Sequence, residues 1–198
     1  MGTGASPTPR AVSLPTLAAL ALLVTACASV PPPPPPVLAL PVDEPFAIEG
    51  RLSARRGNDA IAVGFHWTHA PPRDSFVVQT PLGQTVAELT SDTSVPQAGL
   101  RTADGHHDVA RDWTALAERA FGFPLPIEGL VWWAQGAPRA GAPHTVEGDR
   151  VGRPGVLRQD GCEIVYAYAD DSARRPSRLG LTCHDLEVRI VIDRWRTS

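Results

Sequence analysis

The stretch FAIEGRLSARRGNDAIAVGFHWTHA, residues 46–70, decides the fold class. Its first run places apolar or small side chains at every second position: Phe46, Ile48, Gly50, Leu52 and Ala54. The second run repeats the alternation with Ile61, Val63, Phe65 and Trp67. A period of two is typical of strands with one face in a core and the other in water. Turn residues at 56–59 separate the two runs, so the stretch predicts a β-hairpin.

Further strands are predicted downstream by the same pattern. DSFVVQT and QTVAELT flank the turn TPLGQT, residues 80–85, and form a second predicted hairpin. Other strand signals are AGLRTADG, GVLRQD, CEIVYAY, RLGLTC and LEVRIVIDRW, with a weaker one in HTVEGDRV. Consecutive strands of this kind favour an antiparallel sandwich or barrel.

A helical segment interrupts the strands. DWTALAERAFG, residues 112–122, places these apolar side chains on one helical face: Trp113, Leu116, Ala117, Ala120 and Phe121. Asp112 suits an N-cap and Gly122 the position after the last turn. PIEGLVWWAQG, residues 126–136, predicts a second, short helix. The fold class is therefore mainly β with inserted helices, which close one end of a continuous sheet.

The amino-terminal segment predicts export and lipid anchoring. An apolar run at residues 11–26 follows Arg10 and ends in VTAC, which is similar to a bacterial lipobox. Residues 1–26 are then a signal peptide, and residues 27–43 carry an acylated Cys27 and a proline-rich linker. The alternative is an ordinary signal peptide with a chance cysteine. The run PPPPPP, residues 31–36, suits a stiff spacer before a domain at 44–198.

Composition and motifs exclude several function classes. The 198 residues carry a net charge of −3 and no lysine, so phosphate-driven nucleic-acid binding is not expected. His66 and His69 point to opposite faces of a predicted strand, so we interpret them as solvated or edge residues. His106 and His107 are predicted to lie in a loop. No nucleophile with a neighbouring base stands out. We expect no enzyme activity, no metal and no cofactor beyond the covalent lipid on Cys27.

The remaining cysteines suit a cross-strand pair. In a hairpin centred on the turn-rich residues 170–175, Cys162 faces Cys183, as Ile164 faces Leu181. Because the periplasm is oxidising, we expect a disulfide between them. Two buried free thiols are the alternative.

Several segments together resemble the LolB family of outer-membrane lipoprotein receptors. They are FAIEGRLSA, GFHWTHAPPRDSFVVQTPLGQTVAEL, AFGFPLPIEGLVWWAQGAP, CEIVYAY and VRIVIDRW, in order along the chain. The resemblance implies an open antiparallel β-barrel with an apolar cavity and a helical lid. Cys162 departs from it, because family members commonly carry a bulky aromatic side chain there.

The resemblance also implies a function. Family members accept acylated lipoproteins from the periplasmic carrier LolA and insert them into the outer membrane. The expected protein is a monomer, lipid-anchored in the inner leaflet of the outer membrane and facing the periplasm. Leu82, at the corner of the TPLGQT turn, corresponds to a leucine that serves insertion into the membrane.

The side chains that face inward on the first two strands and on the helices are the predicted cavity or lid residues. They are Phe46, Ile48, Leu52, Ile61, Val63, Phe65, Trp67, Leu116, Ile127, Leu130 and Trp133. A solid core produces the same alternation as a lipid-lined cavity. Two alternatives therefore stay open: a lipid-anchored envelope structural or assembly module with a solid β core, and a periplasmic hydrolase.

Overall fold

The structure, a computed structural model, describes residues 1–4, 44–95 and 97–197. The chain separates into the units Met1–Pro33 and Pro34–Ser198, and every element belongs to the second unit. In the first unit only residues 1–4 are described, and they form neither helix nor strand. The expected cleavage site, Cys27 and the proline-rich linker lie outside the described residues, so those expectations remain predictions.

The described residues form eleven strands and two helices. The strands before the helices are β1 (Phe46–Arg56), β2 (Asp59–Ala70), β3 (Arg73–Gln79), β4 (Thr85–Asp92), β5 (Gln97–Thr102) and β6 (His107–Ala110). The helices are α1 (Trp113–Phe121) and α2 (Ile127–Trp133). The strands after them are β7 (His144–Gly148), β8 (Pro154–Gln159), β9 (Cys162–Ala167), β10 (Arg178–Cys183) and β11 (Leu186–Thr197).

All strands belong to one antiparallel sheet with the order β6-β5-β4-β3-β2-β1-β11-β10-β9-β8-β7. Neighbours in the sheet are therefore neighbours in sequence, except at the centre, where β1 pairs with β11. Within the described residues, β6 and β7 are the two edges and do not pair with each other. The sheet is thus open, as the resemblance implied, and the helices follow one edge strand and precede the other.

One face of the sheet holds the core. The inward side chains of β1 and β11 are buried in alternation, including Ile48, Leu52, Val188 and Ile190. Gly50 also points inward, where a Cβ atom would lie 2.1 Å from the carbonyl oxygen of Val191, so only glycine fits. The opposite face carries exposed ion pairs across β1 and β11, which contribute little to stability.

One detail of the strands differs from the sequence-based expectations. His107, which was expected in a loop, begins the short edge strand β6, because Ala98–Arg101 of β5 provides a pairing edge. Residue 193 of β11 has no partner in the ladder with β1, where the register shifts between Glu49 and Gly50. The bulge returns Trp195 to the inner side, where it packs on Phe46 at a ring-centroid distance of 5.6 Å.

In the described part of the chain, no helix has the length and apolar character needed to cross a membrane.

Candidate functional site

Helix α1 is capped at both of its ends and is tied to the sheet edge by Arg119. The Asp112 side chain accepts the Ala115 backbone N–H at 2.8 Å, and Gly122 ends the helix in the left-handed conformation with φ of 80°. In the last turn, Arg119 Nη1 donates to both oxygens of Asp108 at 2.8 and 2.9 Å. The Arg119 guanidinium holds the pKa of the Asp108 carboxyl below its usual value. These contacts tie α1 to β6 and hold its apolar face against the sheet.

Helix α2 is anchored to the other half of the sheet. Trp133 Nε1 donates to Gln159 Oε1 on β8 at 3.0 Å, and Gln159 is itself buried. Gly129 permits this arrangement, because a Cβ there would lie 2.5 Å from the Trp133 ring. With α1 contacting β4, β5 and β6, the helices together cover the apolar face of the sheet. We call α1 and α2 the lid.

Under the lid lies an enclosed cavity lined only by apolar side chains. They are Leu52, Ile61, Val63, Phe76, Val78, Leu89, Phe121, Leu125, Ile127 and Leu130. Its volume is about 20 Å³, which is room for about one water molecule. An acyl chain therefore enters only if lid or wall side chains move. The lining requires no hydrogen-bonding partner from such a ligand.

A more open groove adjoins the cavity between α1 and β2–β6. Its volume is about 310 Å³, and it shares Val63, Val78, Leu89 and Phe121 with the cavity. Phe121, half-buried in the last turn of α1, therefore lies on the boundary between the two spaces. The outer rim carries the Arg119–Asp108 ion pair and His106. The groove is a ready route from solvent to the cavity.

The exposed turn between β3 and β4 begins beside this groove. Gly83 N–H donates to Thr80 O at 2.9 Å, and Gly83 adopts φ of 81°, which places Leu82 at the tip. Leu82 is 89% exposed. Val86, an exposed residue at a register shift of β4, lines the groove. The turn that carries Leu82 therefore leads, within four residues, to a side chain of the groove.

Comparisons with known proteins assign this architecture to a family. Residues 44–195 match the sequence model of the family described as "Outer membrane lipoprotein LolB". The chain belongs to the LolB family. Among curated relatives named outer-membrane lipoprotein LolB, that of Chromobacterium violaceum is 36% identical over 91% of this chain and 97% of its own. That of Azoarcus sp. is 37% identical over 87% of this chain and 89% of its own.

A solved structure was also matched. The LolA superfamily protein from Nitrosomonas europaea gives a TM-score of 0.45 at 7% identity, over 79% of this chain and 87% of that protein. Membership of the LolB family makes this chain an outer-membrane lipoprotein.

In the structure of this LolB-family chain, the predicted cavity or lid residues fall into two groups. Leu52, Ile61, Val63, Ile127 and Leu130 line the cavity. The others are buried but lie outside its lining: Phe46, Ile48, Phe65, Trp67, Leu116 and Trp133. Phe46, for example, meets Trp67 edge to face at a centroid distance of 5.2 Å. Leu116 and Trp133 belong to the lid, whereas the aromatic residues of β1 and β2 form solid core.

The cavity also has lining residues that the sequence reasoning missed. They are Phe76, Val78, Leu89, Phe121 and Leu125. Phe76 and Val78 alternate on β3 as clearly as the residues of the first hairpin do, so the period of two contained the signal. Which inward residues border empty space depends on how the lid packs, and strand alternation does not report that.

The reading of His69 as a solvated or edge residue is wrong. Its side chain is buried, and Nδ1 lies 2.9 Å from Asp74 Oδ1, which also accepts the indole N–H of Trp67 at 3.1 Å. His66, by contrast, is half-exposed on the outer face near Glu49. Asp74 lies opposite His69 in the β2–β3 ladder, so the polar pair was encoded in the hairpin register. No group of three or more metal-ligating side chains occurs among the residues that the structure describes.

The structure places a disulfide between Cys162 and Cys183. The ladder between β9 and β10 pairs these two residues directly, and it pairs Ile164 with Leu181, as the hairpin arithmetic predicted. No residue of β9 or β10 contributes to the cavity. The bond therefore fastens the half of the sheet away from the groove.

Proposed function

We propose that this protein is a lipid-anchored receptor in the outer membrane, facing the periplasm, that accepts acylated lipoproteins from a LolA-type carrier and inserts them into that membrane. The observation that carries the proposal is the enclosed apolar cavity, which shares four lining side chains with an open groove. Such a site suits a ligand made of hydrocarbon. Membership of a family of outer-membrane lipoproteins named LolB supports the same function.

The driving force in this proposal is transfer between apolar surroundings. Removing hydrocarbon from water contributes ~0.8 kcal/mol per methylene group, so an acyl chain leaves a carrier only for an equally dry site. The cavity lining supplies that site once the lid has moved. The proposal needs neither a covalent step nor a cofactor, and one protomer holds the cavity, the groove and the Leu82 turn.

Leu82 has a separate role in the proposal. A leucine at the tip of a tight turn can enter a bilayer without burying backbone polar groups of a strand. Because Val86, four residues after Leu82, lines the groove, we place the tip near the mouth through which acyl chains would leave the protein. We therefore assign acceptance to the cavity and groove, and insertion to the Leu82 turn.

The direct test is a transfer experiment. The mature, lipid-anchored protein is reconstituted in liposomes and mixed with a LolA-type carrier that holds a radiolabelled lipoprotein. We expect label to move into the liposomes in proportion to the amount of receptor, and to remain with the carrier when protein-free liposomes are used. Carrier that keeps its label at every receptor ratio would overturn the receptor proposal.

A second candidate is the structural module with a solid core, which the small cavity favours. Binding of an apolar fluorescent dye separates the two. A saturable signal that palmitate displaces requires a cavity that opens, whereas a solid core gives no saturable signal. The measurement uses the mature chain, residues 27–198, with Cys27→Ala, which carries neither the apolar signal peptide nor an acyl anchor and needs no detergent.

A further inference from the structure

The exposed histidines of this protein are unevenly distributed along its sequence and its strands. Of the six histidines, His66 is half-exposed and His69 is buried, whereas the other four are exposed. The exposed ones are His106, His107, His144 and His184. Because the chain has no lysine, histidine and arginine are its only basic side chains. The positions of the four therefore determine where the surface can gain positive charge.

Two of the exposed histidines lie beside the Leu82 turn. In an antiparallel sheet of consecutive strands, alternate turns lie at the same end, which brings together the β1–β2, β3–β4 and β5–β6 turns. His106 and His107 belong to the last of these turns and to the strand that follows it. Thr102, just before that turn, pairs with Ala87, just after the Leu82 turn.

The other half of the sheet brings its two exposed histidines to the same end. Arg56, at the β1–β2 turn, pairs with Leu186, so the β10–β11 turn with His184 lies there too. The ladders continue from Cys183 to Cys162, from Cys162 to Gln159 and from Gln159 to His144. We call this end of the sheet the Leu82 end. It comprises residues 55–59, 80–85, 101–107, 159–163 and 183–187, with His144 and Arg139 beside them.

The fixed charges of the Leu82 end leave it without an excess of positive charge. Its arginines lie beside carboxylates, as Arg55–Glu187, Arg56–Asp185, Arg119–Asp108, Arg139–Asp160, Arg158 with Glu147 and Glu163, and Arg101 opposite Glu88. Asp59 and Asp104 add negative charge. At neutral pH, an anionic surface therefore meets no net attraction here.

The charged neighbours of each histidine come from these same groups. Asp104, Asp108 and Arg119 lie around His106, and Arg101 lies opposite His107. Asp185, which pairs with Arg56, follows His184. His144 pairs with Gln159 beside the Arg139–Asp160 ion pair, and its Nδ1 lies 3.2 Å from the carbonyl oxygen of Ala142. All four imidazoles thus meet solvent at a surface of balanced charges.

Acidification changes this balance through the histidines. Histidine is the side chain whose charge changes between pH 5 and 8. The carboxylates keep their charge over that range, and the Arg56 guanidinium holds the pKa of Asp185 below its usual value. The Thr102 hydroxyl does the same for Asp104. The Leu82 end therefore gains up to four positive charges as the pH falls.

We propose that the Leu82 end docks on anionic phospholipid headgroups and that protonation of its four histidines promotes this contact. The inference rests on the proposed function, in which Leu82 enters the membrane, and it adds the headgroups as partner and pH as regulator. One basic charge beside an anionic membrane strengthens the attraction about fivefold, and salt screens part of that gain. The apolar tip and the protonated imidazoles then act on the same bilayer surface.

Vesicle sedimentation tests the proposal with the mature chain, residues 27–198, carrying Cys27→Ala, because this protein has no acyl anchor of its own. The vesicles contain either phosphatidylcholine alone or an equimolar mixture with phosphatidylglycerol. On the anionic vesicles at low salt, we expect binding at least about tenfold tighter at about pH 5.5 than at about pH 7.5. On phosphatidylcholine alone, we expect no dependence on pH.

Replacement of the four histidines by glutamine keeps polar side chains at these positions but removes the charge. We expect the fourfold variant to lose the tighter binding at low pH. The paired variants His106→Gln/His107→Gln and His144→Gln/His184→Gln should each lose part of it. His66→Gln is the matched control, because His66 lies beside Glu49 in the middle of β2, away from the Leu82 end. Unchanged unfolding midpoints identify the variants that keep the fold.

Each outcome bears on one proposal. Equal binding of the parent to anionic vesicles at the two pH values overturns headgroup docking, whereas the receptor proposal depends on the transfer experiment alone. An equal loss in His66→Gln and the paired variants also overturns docking, because the position of the histidines then has no effect. A full pH response in both paired variants overturns it as well. Failed transfer from the carrier, with pH-dependent vesicle binding intact, overturns the receptor proposal instead.

Discussion

The side chain of Leu82 is exposed to water because of the turn that its neighbours form. The Thr80–Gly83 hydrogen bond and the left-handed conformation of Gly83 close the turn and leave the leucine no surface to cover. Scattered exposed apolar residues are ordinary in soluble proteins. Leu82 differs because its turn leads within four residues to Val86 on the groove, and that position makes its substitution informative.

Leu82→Glu is expected to separate acceptance from insertion. A charged tip is costly to place in a bilayer, whereas the cavity and groove are untouched, so the variant takes lipoprotein from the carrier but releases less than a tenth as much into liposomes as the parent does. Radiolabel in the receptor and liposome fractions measures both steps. Val151→Glu adds the same charge at another exposed apolar residue and should transfer normally. Normal insertion by Leu82→Glu would contradict the assigned role.

The buried carboxylate of Asp74 contributes to the stability of the fold. Asp74→Ala leaves the N–H groups of Trp67 and His69 without their acceptor in the core. We expect the free energy of unfolding in urea to fall by about 2–4 kcal/mol, from two unpaired buried donors. Asp185→Ala, which removes an exposed ion pair with Arg56, should cost less than about 1 kcal/mol. Equal losses would show that the buried pairing contributes nothing.

Among the elements, α1 is the part of the lid that borders the groove. Its carboxy-terminal turn depends on one ion pair, Arg119 with Asp108, whereas its apolar face has many contacts. Breaking that pair should loosen the side of the lid beside Phe121 without unfolding the sheet. The lid, rather than the strands, is therefore expected to control access to the cavity.

Arg119→Gln is expected to speed dye entry into the cavity severalfold in stopped-flow fluorescence, with little change in the unfolding midpoint. Arg111→Gln is the control, because Arg111 pairs with Asp112 at the opposite end of the same helix, away from the groove. Entry rates that rise equally in both variants would mean that any loss of charge on α1 suffices. Unchanged rates in Arg119→Gln would contradict the control of access by this contact.

Acidification should act on the same contact. Arg119 lowers the pKa of Asp108 below its ordinary value of 3.8, so the ion pair stabilises the folded state at neutral pH. That contribution is lost as the pH falls through the lowered folded-state pKa. We expect the protection of α1 amides, measured relative to their intrinsic exchange rates, to fall below about pH 4 in the parent protein. Arg119→Gln should show no such acid-dependent step, and an identical step in both proteins would place its origin elsewhere.

The elements were largely predictable, and the cavity was not. The hairpin of β1 and β2, the cap residues of α1 and the pairing of Cys162 with Cys183 all follow from local periodicity and turn chemistry. Strand β6 escaped because a four-residue strand has too little alternation to register. The position of the cavity was not predictable from the sequence, because it depends on the packing of α2 against distant strands. His69 escaped because its burial depends on a partner across the hairpin.

At the scale of the whole domain, the strand registers place the entry of the chain and the Leu82 turn at opposite ends. Phe46 pairs with His69, next to the β2–β3 turn, so the chain enters the domain at the end that holds this turn. The Leu82 turn lies at the other end, since Arg51 pairs with Gly64, and Gly64 pairs with Gln79 just before the turn. At ~3.3 Å per residue, about eight residues of strand and turn correspond to about 25 Å. With a linker that spans this distance, the Leu82 end can face the membrane that holds Cys27 without the domain lying flat on it.

Shortening the predicted linker should weaken insertion in cis. A deletion that leaves about six residues between Cys27 and residue 44 reaches only about 19 Å even when fully extended as polyproline II. We expect acceptance of lipoprotein to persist and insertion to fall severalfold. Replacing the deleted residues with a Gly/Ser stretch of the original length should restore insertion. Full insertion by the shortened protein would show that Leu82 does not need to meet the membrane that holds Cys27.

The central pairing of β1 with β11 has a consequence for biogenesis. The two strands are the first and last of the domain, so during export β1 must wait with one edge unpaired until residues 186–197 have crossed the inner membrane. Each half of the sheet can assemble locally from hairpins, but the two halves join only when the final strand arrives. An exposed strand edge invites pairing with other chains. Truncation within the last twelve residues should therefore direct newly exported protein toward aggregation and proteolysis.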